Sequence, residues 1–461
     1  MRRILGLLLL AMAAPLVRAE GDDRWDMADA GNPILPGYFA DPTVIEYEGR
    51  HYLYATIEPW GGRTLGCWVT SDFAEWTYHP LNWPTKEACT SPTSLEANVW
   101  APSVVRGRDG RFHMYVSVGS EIWTGVADHP LGPWKNALGD RPLVTADFDR
   151  RYHMIDADAF VDEDGSAYLY WGSGWNWVNG ACFAVRLGAD LASFEGEPRV
   201  VTPTNYFEGP TLLKHDGRYY LTYSQGRTVS DTYEVRYAVG DTPLGPFVEG
   251  NNSPILTTDH ARHVVSPGHH GFLRREGQVY IVYHRHRIPY VAGSAFRQVC
   301  VDPLRFGEDG TIATVMPTHR APAFMRRTEA ERARALFAAS GVRLEASSAA
   351  DAHTGANAAF DNNYATRWVA SEPGEGWLQV DFGRVRDLQG SRILPEYPNE
   401  AYRAWIEVSE DGERWSEAWR NVPESPGSPL VAVHAVPARY VRLRMNSVGP
   451  RAAGVFEWRL E

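Results

Sequence analysis

The sequence has few cysteines, no excess of basic residues and no long apolar segment beyond its N-terminus. Only four of its 461 residues are cysteine, none of them in a CxxC pair, which excludes the common cysteine-based metal motifs. Lysine and arginine number 45 against 57 aspartates and glutamates, and the formal net charge of −12 argues against nucleic acid as a partner. No later stretch reaches transmembrane length, so we expect no membrane partner.

The N-terminus has the pattern of an export signal. Arg2 and Arg3 precede an apolar run over residues 4–17, and a small-residue cleavage pattern ends at Ala19. We therefore predict a signal peptide over residues 1–19. The mature protein is then expected to be soluble and either secreted or periplasmic.

All four cysteines lie in the first 300 residues, and export would permit them to form disulfides. Four cysteines allow three pairings, so spacing alone cannot assign one. The pair closest in sequence is Cys67 and Cys89, with Cys182 and Cys300 further along. One disulfide and four buried thiols both stay open.

Up to about residue 312 the sequence repeats a pair of short strands. In each copy an apolar run leads through a polar, glycine-containing turn to an aromatic run, which is typical of an antiparallel hairpin. The five copies begin near Asp41, Trp100, Asp158, Tyr206 and Pro267. A looser second hairpin follows each copy, and four strands at a spacing of about 50–60 residues are the signature of a propeller blade. The sequence therefore predicts an all-β fold with a five-bladed β-propeller.

In a propeller the first strand of every blade lines the central axis, so residues at the same place in each repeat meet there. Asp41, Asp158 and Glu208 occupy matching places in blades one, three and four, and His269 is near the matching place in blade five. Asp156 is expected to lie outside the mouth of the axis, as a structural residue. We thus predict three carboxylates and a histidine at one axial mouth.

Converged carboxyl groups point to glycoside hydrolysis. One group must be protonated to act as an acid, and the other must stay ionised. A third can raise the pKa of the acid and orient it. Aromatic side chains suit the face of a sugar ring, and Trp100, Trp171, Trp175 and Tyr206 lie beside the inner strands. Of these, Trp100 and Tyr206 are expected to bind substrate.

Five short motifs together resemble glycoside hydrolase family 43 over about residues 30–320. They are Ala40-Asp41-Pro42-Thr43, Trp100-Ala101-Pro102, Ile155-Asp156-Ala157-Asp158, Phe207-Glu208-Gly209-Pro210 and Gly268-His269. This family consists of five-bladed enzymes that act on arabinose- and xylose-containing polysaccharides and invert the anomeric carbon. An inverting mechanism places base and acid roughly 6.5–9.5 Å apart, with room for water.

The resemblance also implies residue roles. Asp41 is the expected general base, Glu208 the general acid, and Asp158 the carboxylate that tunes the acid. Arg297 would contact the sugar, with Arg285 and Arg287 as local competitors. His269 would hold an ion or water at the propeller centre, unless it is a buried structural histidine. The chemistry requires no cofactor.

The C-terminal part resembles the discoidin-like jelly-roll domains, many of which bind carbohydrate. The matching motifs are Ala359-Phe360-Asp361-Asn362-Asn363 with Thr366-Arg367-Trp368, Val380-Asp381-Phe382-Gly383 and Ser409-Glu410-Asp411-Gly412-Glu413-Arg414-Trp415. The resemblance implies a structural calcium near Asp361 and Thr366, with help from Glu457. We predict the propeller over residues 20–316, a linker with helical character over 317–340 and a β-sandwich (jelly-roll) domain over 341–461.

The predicted function is an inverting glycosidase that releases terminal α-L-arabinofuranosyl or β-D-xylosyl residues from plant polysaccharides or their oligosaccharides, acting as a monomer. Endo-arabinanase and β-galactosidase activities exist on similar propellers and stay open. A non-catalytic sugar-binding propeller is the alternative of another class. It would require one of the three carboxylates to be missing, and all three are present.

Overall fold

The structure is a computed structural model that describes residues 23–94, 98–325, 342–421 and 426–461. The predicted signal peptide and most of the predicted linker lie outside these residues. Within the described chain, no helix combines the length and apolarity needed to cross a membrane.

Five antiparallel sheets form the blades of a β-propeller. Blade one contains β1 (Phe39–Tyr47), β2 (Arg50–Ile57), β3 (Thr64–Thr70) and β4 (Thr77–Thr85). Blade two contains β5 (Val99–Arg106), β6 (Phe112–Val118), β7 (Glu121–Ala127) and β8 (Lys135–Asn136). Blade three contains β9 (Asp158–Val161), β10 (Ala167–Trp171), β11 (Phe183–Leu187) and β12 (Phe194–Val200). Blade four contains β13 (Glu208–His215), β14 (Arg218–Gln225), β15 (Glu234–Gly240) and β16 (Val248–Glu249), and blade five contains β17 (Gly268–Arg275), β18 (Gln278–His286) and β19 (Arg297–Leu304).

The inner hairpins form where the repeat predicts them, because their turn residues suit tight β-turns. At Glu48-Gly49, Asp216-Gly217 and Glu276-Gly277 both residues have positive φ, as a type I′ hairpin turn requires. Glycine at the second position adopts this backbone conformation without steric cost. The second strands are almost fully buried, and the apolar clusters lie between neighbouring blades.

The N-terminal segment closes the propeller ring against blade five. The Ile34 N–H donates to the carbonyl of Val299 in β19, and Gly31 forms a β-bridge with Arg320. Asn32 is buried, and its side chain exchanges hydrogen bonds with Val301 over 2.9 Å in both directions. A stretch that precedes the first blade therefore pairs with the last one.

The C-terminal domain is a curled β-sheet domain of jelly-roll type. Its strands are β20 (Arg343–Ala346), β21 (Trp368–Pro373), β22 (Glu375–Pro395), β23 (Tyr402–Ser409), β24 (Ser416–Arg420), β25 (Leu430–Ser447) and β26 (Ala452–Leu460). They alternate between a buried apolar face and a polar outer face, so one core fills the domain. The predicted fold class, a five-bladed propeller followed by a β-sandwich, is confirmed.

All four cysteines are buried free thiols, which is the second of the two alternatives left open by the sequence. Each side chain packs into an apolar blade core, as for Cys67 and Cys89 in blade one and Cys182 in blade three. A free buried cysteine behaves as a small apolar residue.

Candidate active site

A residue with left-handed backbone conformation stands at the mouth of the inner strand of every blade. These residues are Asp41 (φ 52°), Ala101 (φ 44°), Asp156 (φ 61°), Gly209 (φ 61°) and His269 (φ 32°). In four blades the ladder to the second strand is shifted at this point by a bulge, and bulges redirect side chains. The five positions therefore form a ring at one end of the propeller axis.

This ring opens into a pocket of about 310 Å³. Five of the predicted site residues line it: Asp41, Trp100, Glu208, His269 and Arg297. The pocket walls are mostly aromatic and apolar, while three carboxyl groups and one guanidinium reach its floor. Few, well-placed polar groups in an apolar cleft are typical of a small-molecule or sugar site.

The third carboxyl group in the pocket belongs to Asp156 and not to Asp158, which corrects the sequence prediction. Asp158 lies with Thr43, Ser103 and Thr211 at the border of a separate cavity of about 590 Å³, at the other end of the inner strands. Its carboxylate accepts hydrogen bonds from Ser103 Oγ and the Leu212 N–H, each over 3.1 Å. The two aspartates face different ends because the left-handed conformation of Asp156 interrupts the regular strand alternation.

The prediction that Tyr206 contacts the substrate is also corrected, because its side chain is buried beneath the pocket lining. Its hydroxyl donates to the carbonyl of Gly172 over 2.5 Å, and its ring packs 5.5 Å from that of Tyr223. The next residue, Phe207, lines the pocket instead. Adjacent residues in an extended segment point to opposite sides, so a shift of one position exchanges the two.

Asp41 is held as an ionised carboxylate. Its Oδ1 lies 3.1 Å from Arg297 Nη1 and 3.3 Å from His269 Nδ1, and its Oδ2 accepts from Thr56 Oγ1 over 2.7 Å. Burial opposes ionisation, but Arg297 and His269 outweigh it and hold the pKa of Asp41 well below its usual range. Asp41 therefore stays ionised at any ordinary pH.

Glu208 has the opposite electrostatic environment. Burial raises its pKa, and the negative charge of Asp41 adds to this, while hydrogen bonds from Tyr233 and Ser173 partly oppose it. The Tyr233 hydroxyl donates to Oε1 over 2.7 Å, and Ser173 Oγ donates to Oε2 over 2.8 Å. Glu208 therefore retains its proton to a higher pH than an exposed glutamate.

Asp156 lines the same pocket, close enough to both other carboxyl groups for each of them to affect its pKa. Its Oδ2 is 3.7 Å from His269 Nδ1, and its N–H donates to Ser117 Oγ over 2.9 Å. Burial raises the pKa of Asp156 strongly, and the carboxyl groups of Glu208 and Asp41 raise it further. Because the charge of Glu208 raises the pKa of Asp156, the two carboxyl groups together keep a proton where isolated carboxyls would lose theirs.

Two residues beside Arg297 were missed by sequence reasoning. Glu58 forms a two-pronged ion pair with the guanidinium, at 2.6 Å and 3.1 Å, and the ring of Trp60 lies 5.3 Å from it. Burial raises the pKa of Glu58 to about 7, although Arg297 opposes this. The sequence contained a signal for both residues, because Glu58-Pro59-Trp60 follows β2 at the same end of blade one as Asp41.

An aromatic pair forms part of the rim of the pocket. The rings of His153 and Trp175 stack at 4.2 Å with an interplanar angle of 23°, and Trp175 remains 44% exposed. Burial lowers the pKa of His153 to about 4, so the stack is uncharged at neutral pH. An exposed, flat ring at the entrance can contact a part of the ligand that extends out of the pocket.

The model of Glycosyl hydrolases family 43 matches residues 30–312. The chain belongs to glycosyl hydrolase family 43. It is therefore a glycoside hydrolase with a carbohydrate substrate, and its chemistry needs no cofactor. The F5/8 type C domain model matches residues 343–458 of the same chain.

Several characterised proteins are similar to this family 43 chain. A Beta-D-galactofuranosidase xynD of Aspergillus niger is 33% identical over 301 residues, covering 62% of this chain and 85% of that protein. An Arabinoxylan arabinofuranohydrolase of Paenibacillus polymyxa is 27% identical, and the match covers 67% of this chain but only 55% of that longer protein. A solved structure titled Glycoside hydrolase aligns with a TM-score of 0.78 at 26% identity, covering 94% of this chain and all of that one. These names do not agree on one sugar.

The predicted calcium loop of this family 43 chain contains side-chain oxygen atoms that hydrogen-bond to one another and to the backbone. Thr366 Oγ1 donates to Asp361 Oδ2 over 2.7 Å, and the Asn362 N–H donates to Glu457 Oε2 over 2.8 Å. Among the described residues, no group of three or more His, Cys, Asp or Glu side chains could hold a metal. A cation at this loop would need backbone carbonyls as additional ligands.

Proposed function

We propose that this chain is an inverting, exo-acting glycosidase that releases a terminal α-L-arabinofuranosyl or β-D-xylosyl residue from plant polysaccharides or their oligosaccharides. One observation carries the proposal: two carboxyl groups of opposite protonation preference line the same pocket. Asp41 has a lowered pKa and Glu208 a raised one. Environments that separate the pKa values of two carboxyls assign acid and base.

In the proposed reaction Glu208 protonates the glycosidic oxygen while the bond from that oxygen to the anomeric carbon breaks. A water molecule attacks the same carbon from the opposite face, and Asp41 takes the proton of that water. Asp156 is proposed in the role that the sequence had assigned to Asp158. Asp156 and Glu208 are proposed to share a proton, because a negative charge on either carboxyl group favours the protonated form of the other. Arg297 is proposed to keep Asp41 ionised and to contact the sugar.

Exo action is supported by the size of the pocket. Its volume of about 310 Å³ is at the small end of ligand pockets, which span roughly 300–1,000 Å³. A pocket of this size suits one terminal sugar with the next unit at its rim. A long open cleft would suit an internal bond of a polymer better.

A second candidate substrate is a terminal β-D-galactofuranosyl residue, which the name of the Aspergillus niger relative favours. This sugar has the ring configuration of α-L-arabinofuranose and carries one additional exocyclic carbon. Discrimination between the two would depend on apolar lining residues of the pocket, such as Ile155 and Phe207. A hydrophobic pocket distinguishes one added carbon only by roughly 10–200-fold.

The test compares wild type and Glu208→Ala on p-nitrophenyl α-L-arabinofuranoside, β-D-xylopyranoside and β-D-galactofuranoside, with arabinan and arabinoxylan as polymers. We expect turnover of at least one aryl glycoside, loss of it in Glu208→Ala, and an inverted anomer in the product by proton NMR. A wild type inactive on all of these would overturn the proposal. Product of retained configuration would overturn the single-displacement mechanism.

Export, a monomeric state and a structural calcium at Asp361 are proposed on the sequence patterns alone. Export rests on residues 1–19, and the calcium on the loop motif with Thr366 and Glu457. None of the three affects the chemistry assigned to the pocket.

A further inference from the structure

The C-terminal domain touches the propeller directly beside two residues of the pocket floor. Tyr38 precedes Asp41 by three positions, and its buried side chain belongs to the apolar core of the C-terminal domain. Its ring centroid lies 5.6 Å from that of Tyr397 and 5.8 Å from that of Phe456. The segment that leads into β1 is therefore anchored in the neighbouring domain.

Hydrogen bonds connect Tyr38, the anchor, both to the C-terminal domain and to the propeller. The Tyr38 hydroxyl donates to Glu396 Oε1 over 2.7 Å, and Arg367 donates to the same oxygen over 2.7 Å. The Tyr38 carbonyl accepts from the Glu58 N–H over 3.1 Å. Because Glu58 pairs with Arg297, the anchor is connected to the guanidinium as well as to the strand of Asp41.

A second contact reaches the strand of Arg297 itself. Gln298 is buried, and its amide donates to the carbonyl of Tyr364 in the C-terminal domain over 2.7 Å and to that of Gly37 over 3.4 Å. On the other side of Arg297, the ring of Phe296 lies 4.9 Å from that of Tyr38. Both neighbours of Arg297 in the chain therefore pack against the interdomain contact.

We infer that the C-terminal domain is a positioning element of the catalytic centre, which holds Asp41 and Arg297 in the geometry needed for hydrolysis through Tyr38 and Gln298. This inference rests on the proposed function, because it assigns these contacts a role in that reaction. A small displacement of a reacting group can reduce a rate by about 100-fold. A domain that served only to bind polysaccharide would not need to touch both strands.

Loosening these contacts has a consequence for pH dependence as well as for rate. If Arg297 moves away from Asp41, the pKa of Asp41 rises, and the acid limb of kcat/KM moves to higher pH. Loss of folded enzyme would lower the rate without moving that limb. The charged and titratable groups that face Asp41 are Arg297, His269, His284, Asp156, Glu208 and Glu58.

The experiment compares Tyr38→Phe and Gln298→Met with a matched interdomain control, Glu75→Gln. Glu75 follows β3 and pairs with Arg459 over 2.6 Å, and Arg459 also donates to the Tyr364 hydroxyl, a hydrogen bond that Glu75→Gln leaves in place. The full-length proteins are assayed on an aryl glycoside that wild type hydrolyses, and thermal unfolding gives the folded fraction. We expect kcat to fall about tenfold in Gln298→Met and at least threefold in Tyr38→Phe, with the acid limb moved to higher pH in both.

Glu75→Gln should keep the wild-type kcat and acid limb even if its unfolding temperature falls. Folded Tyr38→Phe and Gln298→Met proteins with wild-type kcat and limb would overturn the inference while leaving the proposed function intact. Should Gln298→Met fail to fold, Tyr38→Phe decides, since it removes a single hydroxyl and leaves Glu396 paired with Arg367. A wild type without activity on any of the substrates would overturn the proposed function itself, and the inference with it.

Discussion

The protonation state of Glu208 depends on individual hydrogen bonds. Tyr233 and Ser173 both donate to its carboxylate, and both therefore lower a pKa that burial has raised. The proposed acid must be protonated, so activity is lost as pH rises through this pKa. The alkaline limb of kcat/KM thus reports on the Glu208 and Asp156 pair.

Tyr233→Phe should move that alkaline limb to higher pH. Removing one donor destabilises the ionised form, so the pKa of Glu208 rises and the acid stays protonated longer. A hydrogen bond to a charged group contributes about 1.5–3 kcal/mol, which corresponds to a shift of roughly one to two pH units. The control is Tyr219→Phe, whose hydroxyl donates to Asp162 beside the other cavity. A limb that stays fixed or moves to lower pH in Tyr233→Phe would contradict this assignment.

Asp156 and Asp158 provide a pair of matched substitutions two residues apart. Asp156→Asn should reduce kcat/KM by about 10²–10⁴-fold, the usual contribution of acid–base groups. Asp158→Asn should stay within about threefold of wild type, because that side chain lies at the other cavity and burial already raises its pKa to about 7. Steady-state kinetics on an aryl glycoside distinguishes the two. A severe loss in Asp158→Asn with a mild one in Asp156→Asn would restore the sequence assignment.

The sequence predicted that Asp41 and Glu208 lie at the pocket, but in blade three it placed Asp158 there instead of Asp156. The prediction matched Asp158 with Asp41 because a similar strand sequence follows each of them. The left-handed residue is instead followed by proline in three blades, at Pro42, Pro102 and Pro210. Alignment on this proline would have placed Ala157 opposite it and Asp156 at the mouth. An aspartate with positive φ cannot be recognised from the sequence, because aspartate also adopts other backbone conformations. The strand pattern alone therefore did not show the register of blade three.

At the scale of elements, the five inner hairpins were predictable because turn chemistry and strand composition agree. Glycine-containing turns and aromatic second strands specify each hairpin locally. The loop over residues 174–180 was not predictable in the same way. Asn176 and Trp177 adopt left-handed conformations there, which single residues rarely signal. The result is that Trp175 stands at the rim, stacked on His153 from another segment.

Trp175→Ala should weaken the hydrolysis of oligosaccharides more than that of small alkyl glycosides. A sugar on the leaving-group side would cover roughly 50–60 Å² of the exposed ring, worth about 1.4 kcal/mol or tenfold in kcat/KM. We therefore expect about a tenfold loss on arabino- or xylo-oligosaccharides and less than a twofold loss on the methyl glycoside. Phe148→Ala, an exposed aromatic of the same blade outside the pocket, is the control. Equal losses on both substrates would show that Trp175 acts on the terminal sugar instead.

At the scale of the whole molecule, the sequence predicted the fold class, a β-propeller followed by a β-sandwich, but could not show how the two domains meet. Motif resemblance describes each domain separately, and the contacts of Tyr38 with Glu396 join residues 358 positions apart. The same holds for ring closure, where Asn32 reaches Val301 across 269 positions. Such long-range pairs leave no pattern in the local sequence, because each residue forms its own strand or turn without the other.

Asn32→Ala should destabilise the propeller by opening its closure. The Asn32 amide donates to the carbonyls of Val301 and Thr318 over 2.9 Å and 3.1 Å, and its oxygen accepts from the Val301 N–H. The substitution leaves buried backbone groups unpaired, each of which costs about 1–3 kcal/mol. We expect the free energy of unfolding to fall by about 2–4 kcal/mol in urea titrations, whereas Asn251→Ala in an exposed turn should change it by less than about 0.5 kcal/mol. Equal stability of the two variants would mean that the N-terminal segment does not hold the ring closed, and that contacts between blades one and five suffice.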